Sequence, residues 1–514
     1  MTRRMIAFGG LKAITGVVWL VAGLLALGLL GMTLANRAHN EQMYVAAGYL
    51  LSQGQRLYTD FAFVQMPYMP WVYAAVYSVT GASYYLLKAK LVTWACLAGA
   101  GWLLTARSQR AGGDTLFAAT LLTLFLANYY TIKAVEEASN YALPLLLGLV
   151  AYVVFLRGVE GRMRLSLAAG LAGLALGGAV GTKLYYAMLA LPFGLVALRY
   201  PRELPFVRRL AQGVGGLALG GLVGLGPVAV YALGDWDRFA FNNLGYHVLN
   251  AQWRLQSGFT DGMTLGSKLD MARDLAINPN YLVLELWLAV ALLLVGMWRP
   301  TAGTLLAAGC SLTALVTAFV PSPLFSQYFA MPVPFLALWM AELYGGADAA
   351  ARRLLTRLAL VCAVAAILVV LPRHTAALTR LVTPNDSWAG IVSVADSRAI
   401  RDALDEAGAF DPTEPLRVAT LSPVAALETH LAFYPELATG SFVYRIGDLL
   451  TPEQRAAYVA TSPGTLAALL DARPPSAILI GDEGDAEIPL REYAEQHGFR
   501  RVEVALDAGE LWVR

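Results

Sequence analysis

Apolar runs close to the ~20 residues needed to cross a hydrocarbon core recur from Ile14 to about Leu371, after which the pattern changes. Read as spans they lie at roughly 14–35, 86–106, 114–132, 141–157, 165–181, 183–199, 210–233, 280–298, 301–320, 326–344 and 354–372, about eleven in all. After Pro384, short β-type runs at 416–421, 477–480, 501–506 and 511–513 alternate with helical segments at 389–408, 451–471 and 489–497. Several of these helices open on Ser, Thr or Pro. The pattern predicts an α-helical polytopic membrane domain over 1–372, followed by a soluble α/β domain over 373–514.

Charge placement gives the spans a direction. With the N-terminus in the cytoplasm, Arg107/Arg110, Arg157/Arg162/Arg164, Arg199/Arg202/Arg208/Arg209, Arg299 and Arg352/Arg353/Arg357 all fall in cytoplasmic loops, as the positive-inside rule requires. That parity holds only if 67–82, with Pro67 and Pro70 in its first turn, is a re-entrant or interfacial segment rather than a crossing. The N-terminal run to Ala35 is too long for a signal-peptide core and ends in Asn36-Arg37-Ala38-His39, so it reads as an uncleaved span. The outer face of an inner or plasma membrane then carries a first loop over 36–85, a turn at 133–140, a turn at Lys183, a loop at 234–279, a turn at 321–325 and the C-terminal domain.

Composition narrows the function. Of the residues, 57% are apolar and 14% charged, which excludes an ordinary soluble globule of 514 residues. Acidic residues outnumber basic ones roughly two to one after Asn385, which argues against nucleic acid as a partner. Cys96, Cys310 and Cys362 sit inside apolar runs, so neither a disulfide framework nor a thiolate zinc site is expected. His39, His247 and His374 lack metal-ligand spacing, and no metal site is expected from them. Glycines at 169–181 and 212–226 fit close helix packing, since no phosphate-loop signature accompanies them. In the C-terminal part, Asp482-Glu483-Gly484-Asp485 reads as a solvated acidic turn, with cation binding as the alternative.

Candidate chemistry concentrates in the outer segments. Asn40 is placed to cap a helix whose stripe of Met43, Ala46, Ala47, Leu50 and Leu51 would lie on the membrane surface, with Gly54 ending it. Glu41, in its first turn, either acts on substrate or complements the helix dipole. Glu136 and Glu137 share a short turn between spans and form either a functional pair or a solvated turn with Lys133 as partner. Lys183 interrupts an apolar stretch, where it could hold a phosphate or snorkel to the interface. Gln327 and Tyr328 start another span as substrate contacts or interfacial anchors.

The order Asn40-Glu41-x-x-Tyr44, Gly54, Tyr58-x-Asp60 and Gln65-x-Pro67, followed by Gly181-Thr182-Lys183 and Gln327-Tyr328-Phe329 with Pro332 and Pro334, resembles the outer-face segments of GT-C glycosyltransferases. The resemblance is to the branch related to protein O-mannosyltransferases and bacterial aminoarabinose transferases. It implies an inverting transfer of a sugar from a polyprenyl-phosphate donor to a glycan, lipid or protein acceptor, with an acidic residue of the first loop acting on the acceptor hydroxyl. Tyr44, Arg56, Tyr58, Gln65, Lys183, Gln327 and Tyr328 are the candidate substrate contacts, and the mechanism expected from them has the phosphate near Lys183 and Arg56. Two positions depart from the pattern. Asn40 stands where the family has an aspartate, and Gln65 where it often has lysine. An amide cannot take a proton, so the base role passes to Glu41 or to Glu136/Glu137. No cofactor follows from ligand spacing, a divalent cation staying open. The rival readings are a transporter of a lipid-linked substrate and a transferase that has lost catalysis.

Overall fold

A computed structural model describes residues 2–295, 300–408, 416–481, 483–504, 506 and 509–514, with side chains from Lys12 onward. Arg299 and Asp482, singled out above, lie outside the described residues. The chain opens with helices α1 (Thr2–Ala35), α2 (His39–Ser52), α3 (Tyr68–Thr80), α4 (Tyr85–Arg110), α5 (Thr115–Leu126), α6 (Tyr129–Val135), α7 (Ala142–Val159), α8 (Leu165–Thr182) and, after a 3₁₀ turn at Leu184–Leu189, α9 (Ala190–Arg199). Later helices are named by their ranges.

Among the described residues six helices are long and apolar enough to cross a membrane, or eight if each of two bent pairs is one span. Two shorter apolar helices, Leu184–Arg199 and Ala302–Ala318, accompany them. The first bend revises the expectation of a continuous span at 114–132, whereas the second falls just before the run at 280–298, whose described residues lie in the single helix Pro279–Val295. Helices α5 and α6 meet at 63°, and Leu265–Ile277 meets Pro279–Val295 at 64°. Broken backbone at membrane depth must have its polar groups satisfied. Here the two breaks satisfy each other. Asn128 Oδ1 caps α6 by accepting from the N–H groups of Tyr130 and Thr131, its Nδ2 donates to the Asn280 carbonyl (3.1 Å), and Asn280 Oδ1 accepts from the Tyr129 N–H (2.9 Å).

The glycine runs act as read. Helix α8 and the Gly215–Gly234 helix approach so closely that a Cβ on Gly220 would lie 1.9 Å from the Gly170 carbonyl oxygen, so only glycine permits the crossing. The three cysteines are buried and unpaired. At the C-terminal end of α4, Arg107 is buried between Glu160 (2.6 Å) and Glu342 (2.7 Å).

The first loop differs from its expectation. Helix α2 starts two residues earlier than a cap at Asn40 would allow, with Ala38 as N-cap and Glu41 reaching back to the Ala38 N–H (3.2 Å). It does not present one apolar stripe to a membrane surface. Met43, Tyr44, Val45, Ala46, Ala47 and Leu50 are all buried, because α3 and α4 cover one side and residues of the C-terminal part cover another. Gly48 admits the Tyr73 side chain at a distance no Cβ would tolerate. Gln42 Oε1 accepts from the Val424 N–H (2.9 Å). Helix α3, at 13 residues, is shorter than a crossing requires.

After residue 388 the helix Ala389–Glu406 leads into a five-stranded sheet of order β2-β1-β3-β5-β4. Its strands are β1 (Arg417–Ala419), β2 (Ala432–Phe433), β3 (Ala477–Ile480), β4 (Arg500–Val502) and β5 (Glu510–Val513). Strand β1 pairs in parallel with β2 and β3, and β5 is antiparallel to β3 and β4. Every residue of β3 is buried, as expected of a strand covered on both faces. Ala477 and Leu479 meet Ile400 and Leu404 of the Ala389–Glu406 helix, while Ile478 and Ile480 meet Leu490 and Ala494 of Ile488–Gln496. The pattern reading missed β2, which has only two residues, and it joined Pro452–Ala457 and Leu466–Ala472 into one helix across the Ser462-Pro463-Gly464 break.

Candidate functional site

Six separate segments meet at one place. Helix α2 contributes Asn40, the turn after α6 contributes Glu137, Asn140 and Tyr141, and the α8 end contributes Lys183. The 3₁₀ turn Ser326–Ala330 contributes Tyr328, the Tyr246–Gln256 helix contributes Tyr246 and Arg254, and the C-terminal part contributes Arg445.

Asn40 Nδ2 donates to both oxygens of Glu137, at 3.2 and 3.0 Å. Glu137 is 5% exposed, and burial pushes its carboxyl from the usual 4.5 up to about 7. The Asn40 bond opposes that rise, the Glu41 charge adds to it, and Ser139 and Lys183 oppose it. Lys183 is equally buried. Its Nζ donates to Asn140 Oδ1 (2.8 Å) and lies 3.5 Å from the centre of the Tyr141 ring, with Tyr185 and Tyr328 at 5.3 and 5.7 Å. Burial lowers its ammonium from 10.5 to about 7, and the Glu137 charge opposes that fall. Asn140 is held by donating to Gln65 Oε1 (3.0 Å) and to the Thr182 carbonyl (3.2 Å). Tyr44 is buried beside this group, and desolvation, then the Glu137 charge, raise its hydroxyl well above the usual value.

A second cationic group faces the same space. Arg445 donates to the Tyr246 hydroxyl (3.0 Å) and to Asn250 Oδ1 (3.1 Å), and its guanidinium stacks over Trp253 (5.2 Å). Tyr246, Asn250 and Trp253 lie on the helical face next to Arg254, whose own guanidinium sits 5.4 Å from the Phe325 ring. Desolvation and then the Arg445 charge lower Arg254, and its buried Nε has no hydrogen-bond partner. Among the described residues none of Lys183, which feels the Glu137 charge, Arg254 and Arg445 forms a salt bridge with a carboxylate, which makes this partly dry face a candidate for binding an anion.

The other sequence candidates take different places. Glu41 is 2% exposed and held in a buried ion pair. Its Oε1 accepts from Lys90 Nζ (2.5 Å) and from the Ala138 N–H (2.7 Å), and Lys90 also donates to the Asn36 carbonyl (2.7 Å). Glu136 points away from Glu137 and pairs with Lys133 (2.6 Å) and Arg373 (2.8 Å). Arg56 is exposed and closes its turn on Asp60 (2.8 Å). Tyr58, at φ 65°, donates to the Gln65 carbonyl (2.6 Å), which fixes the path of the chain into the site. Gln327 is half-buried beside Tyr328 and accepts from Ser326 Oγ (3.4 Å). Asn140, Tyr141, Tyr246, Arg254 and Arg445 were not singled out. Asn140-Tyr141 directly follows the Glu136-Glu137 pair in the same short turn, which was the available signal. Arg445 carries no local signal at all. Among the described residues no group of three or more His, Cys, Asp or Glu could hold a metal ion.

No family model matches the sequence, and no curated protein matches it. Solved structures do. Over 100% of its length the chain superposes on 98% of ArnT from Cupriavidus metallidurans bound to undecaprenyl phosphate, with TM-score 0.59 and 16% identity. The apo state of the same protein matches with TM-score 0.59 and 14% identity over 99% of this chain. ArnT is an aminoarabinose transferase and a GT-C glycosyltransferase. At these identities the likeness is one of fold, and the chain has the fold of ArnT.

Proposed function

We propose that the chain is a membrane glycosyltransferase that moves a sugar from a polyprenyl-phosphate donor to a hydroxyl-bearing acceptor at the outer face of the membrane. The observation that carries this reading is the placing of a buried, proton-accepting carboxyl, Glu137, across one space from two cations that form no salt bridge among the described residues, Lys183 and Arg254. The undecaprenyl phosphate bound by ArnT, which shares the fold, supports a lipid phosphate as the donor's leaving group. Eleven crossings with the N-terminus in the cytoplasm would put every contributing segment on the outer side.

In this mechanism the donor phosphate lies against Lys183 and Arg254. Its negative charge restores the full charge of Lys183, which burial otherwise depresses. The polyprenyl tail runs into an apolar groove of about 450 Å³ that opens beside the 184–189 turn and is lined by Leu176, Val180, Tyr186, Phe193, Leu217 and Leu225. The acceptor hydroxyl attacks the anomeric carbon while its proton passes to Glu137, and the bond from that carbon to the phosphate oxygen breaks. Polyprenyl phosphate leaves, its charge held by the cations, and the anomeric configuration inverts. A pKa near 7 suits Glu137 to this role, and Asn40 aligns its carboxylate without competing for the proton. Glu41 and Lys90 act as positioning residues, since their ion pair fixes the N–H of Ala138, next to Glu137. Tyr44, Gln65, Gln327 and Tyr328 shape the pocket.

The test uses the full-length protein in proteoliposomes with radiolabelled polyprenyl-phosphate sugars and cell-envelope acceptors. Release of polyprenyl phosphate in step with acceptor labelling is expected, and Glu137→Gln should lower it by about 10²–10⁴-fold. Lipid movement across the bilayer with no release of polyprenyl phosphate would identify a transporter instead. Full activity of Glu137→Gln would remove Glu137 from the chemistry.

A further inference from the structure

A second cavity, of about 230 Å³, lies on the other side of the α2 start from Glu137 and is walled by the beginning of α2, the Ala389–Glu406 helix and the sheet. Its position follows from topology. Strands β1 and β3 are parallel neighbours, but the chain leaves β1 for β2 on one side and leaves β3 for β4 and β5 on the other. Such a divergence opens a crevice at the carboxyl ends of the two strands, which is where open α/β sheets bind ligands. Ser422, just beyond β1, and Gly481, just beyond β3, both line the cavity.

The lining alternates donors and acceptors. Arg37 and Asp396 stand 4.0 Å apart, and Glu483 accepts from His39 Nδ1 at 2.7 Å. Gln42 is oriented by the Val424 N–H on its Oε1, which leaves its Nε2 as a donor. Ser422 is 6% exposed, and among the described residues its hydroxyl has no hydrogen-bond partner. A hydroxyl that lines the cavity and bonds no protein group is available to a ligand there. Gly481 keeps that space open, since a Cβ there would lie 2.1 Å from Ser422 Oγ. The polar groups are interleaved with Leu86, Ala389, Val424 and Leu479, so the walls suit a molecule with hydroxyls on its rim and apolar faces. The volume holds about eight waters at the ~30 Å³ each occupies in the liquid, or one pyranose ring.

We propose that this cavity binds a single hydroxylated sugar ring. Its use as a subsite for a sugar unit of the acceptor rests on the transferase reading, whereas the binding itself does not. The test is saturation-transfer NMR on the detergent-solubilised full-length protein with methyl pyranosides of the gluco, galacto, manno and N-acetylglucosamine series, at millimolar concentration. At least one should bind. Ser422→Val, which removes the hydroxyl and fills the space, should weaken it about tenfold or more, equivalent to ~1.4 kcal/mol. Glu137→Gln should leave it unchanged. Asp396→Asn serves as a second lining variant, and the melting temperature of each variant reports folding. Absence of binding by all four pyranosides overturns the proposal. So does binding that ignores Ser422→Val in a folded variant, or binding lost in Glu137→Gln, which would move the sugar to the catalytic space. Failure of the transfer assay with sugar binding intact would count against the transferase reading alone.

Discussion

Replacing Glu137 by glutamine should make the protein more stable above neutral pH while removing its activity. The wild-type carboxyl titrates near 4.5 in the unfolded chain and near 7 in the fold, chiefly because it is buried. Below 4.5 both states hold the proton and the group does not alter stability. Between 4.5 and about 7 the folded state binds more proton than the unfolded one, so the stability of the wild type falls as pH rises. Above about 7 the loss is complete, and at ~1.4 kcal/mol per pH unit it amounts to about 3 kcal/mol. Glutamine has the same shape, can still accept from Asn40 through Oε1 and carries no charge to bury. Melting curves of the two proteins in one detergent, taken from below pH 4.5 to above pH 7, should coincide at the acid end and diverge toward neutrality, with the variant higher. The shared titration of other groups cancels in the difference. A difference that does not change with pH, or a variant melting lower at alkaline pH, would refute the claim that Glu137 is a carboxyl held against its preference.

Transfer activity should rise with pH through about 7, because Glu137 must be ionised to take a proton, and pH–rate profiles report the midpoint. Asn40→Asp would set a second carboxyl about 3 Å from Glu137 and shift that midpoint upward, as a like charge does; an unmoved profile would separate the two residues. Lys90→Met should destabilise strongly, by about 3–5 kcal/mol, since it strands the buried Glu41 charge, whereas the double variant Glu41→Gln/Lys90→Met should recover most of the loss. Thermal unfolding checks this ranking, and a stable but inactive Glu41→Gln would assign Glu41 to the chemistry. Gly220→Val should prevent the α8 crossing and cut the yield of folded protein in size-exclusion profiles, while the neighbouring Gly226→Val, where a Cβ meets nothing within 4 Å, should not.

The length of the apolar runs carried the six helices long enough to cross a membrane, because the bilayer imposes a length that each run must meet on its own. Packing glycines were legible for a similar reason, since only a missing side chain admits a helix crossing of that closeness. The helix breaks at Asn128 and near Asn280 were less so. A single asparagine in an apolar run reads as tolerated polarity until its partner, about 150 residues away, is seen to satisfy the exposed backbone. Strand β2 escaped notice because two residues cannot show a period.

The candidate site divides along the same line. Residue type and order alone were enough to single out the first loop, the Glu136-Glu137 turn and Lys183, and to rule out Asn40 as a base, because proton affinity belongs to the side chain itself. Which of three nearby glutamates forms no salt bridge among the described residues depended on folding. Glu41 and Glu136 are each within 3 Å of a lysine, while Glu137 faces an amide. Lys90 and Arg373, which make that distinction, come from α4 and from the Ala349–Arg380 helix, and Arg445 reaches the site from the far end of the sequence. Burial and long-range charge set a carboxyl's proton affinity, and both are properties of the assembled segments rather than of any one of them.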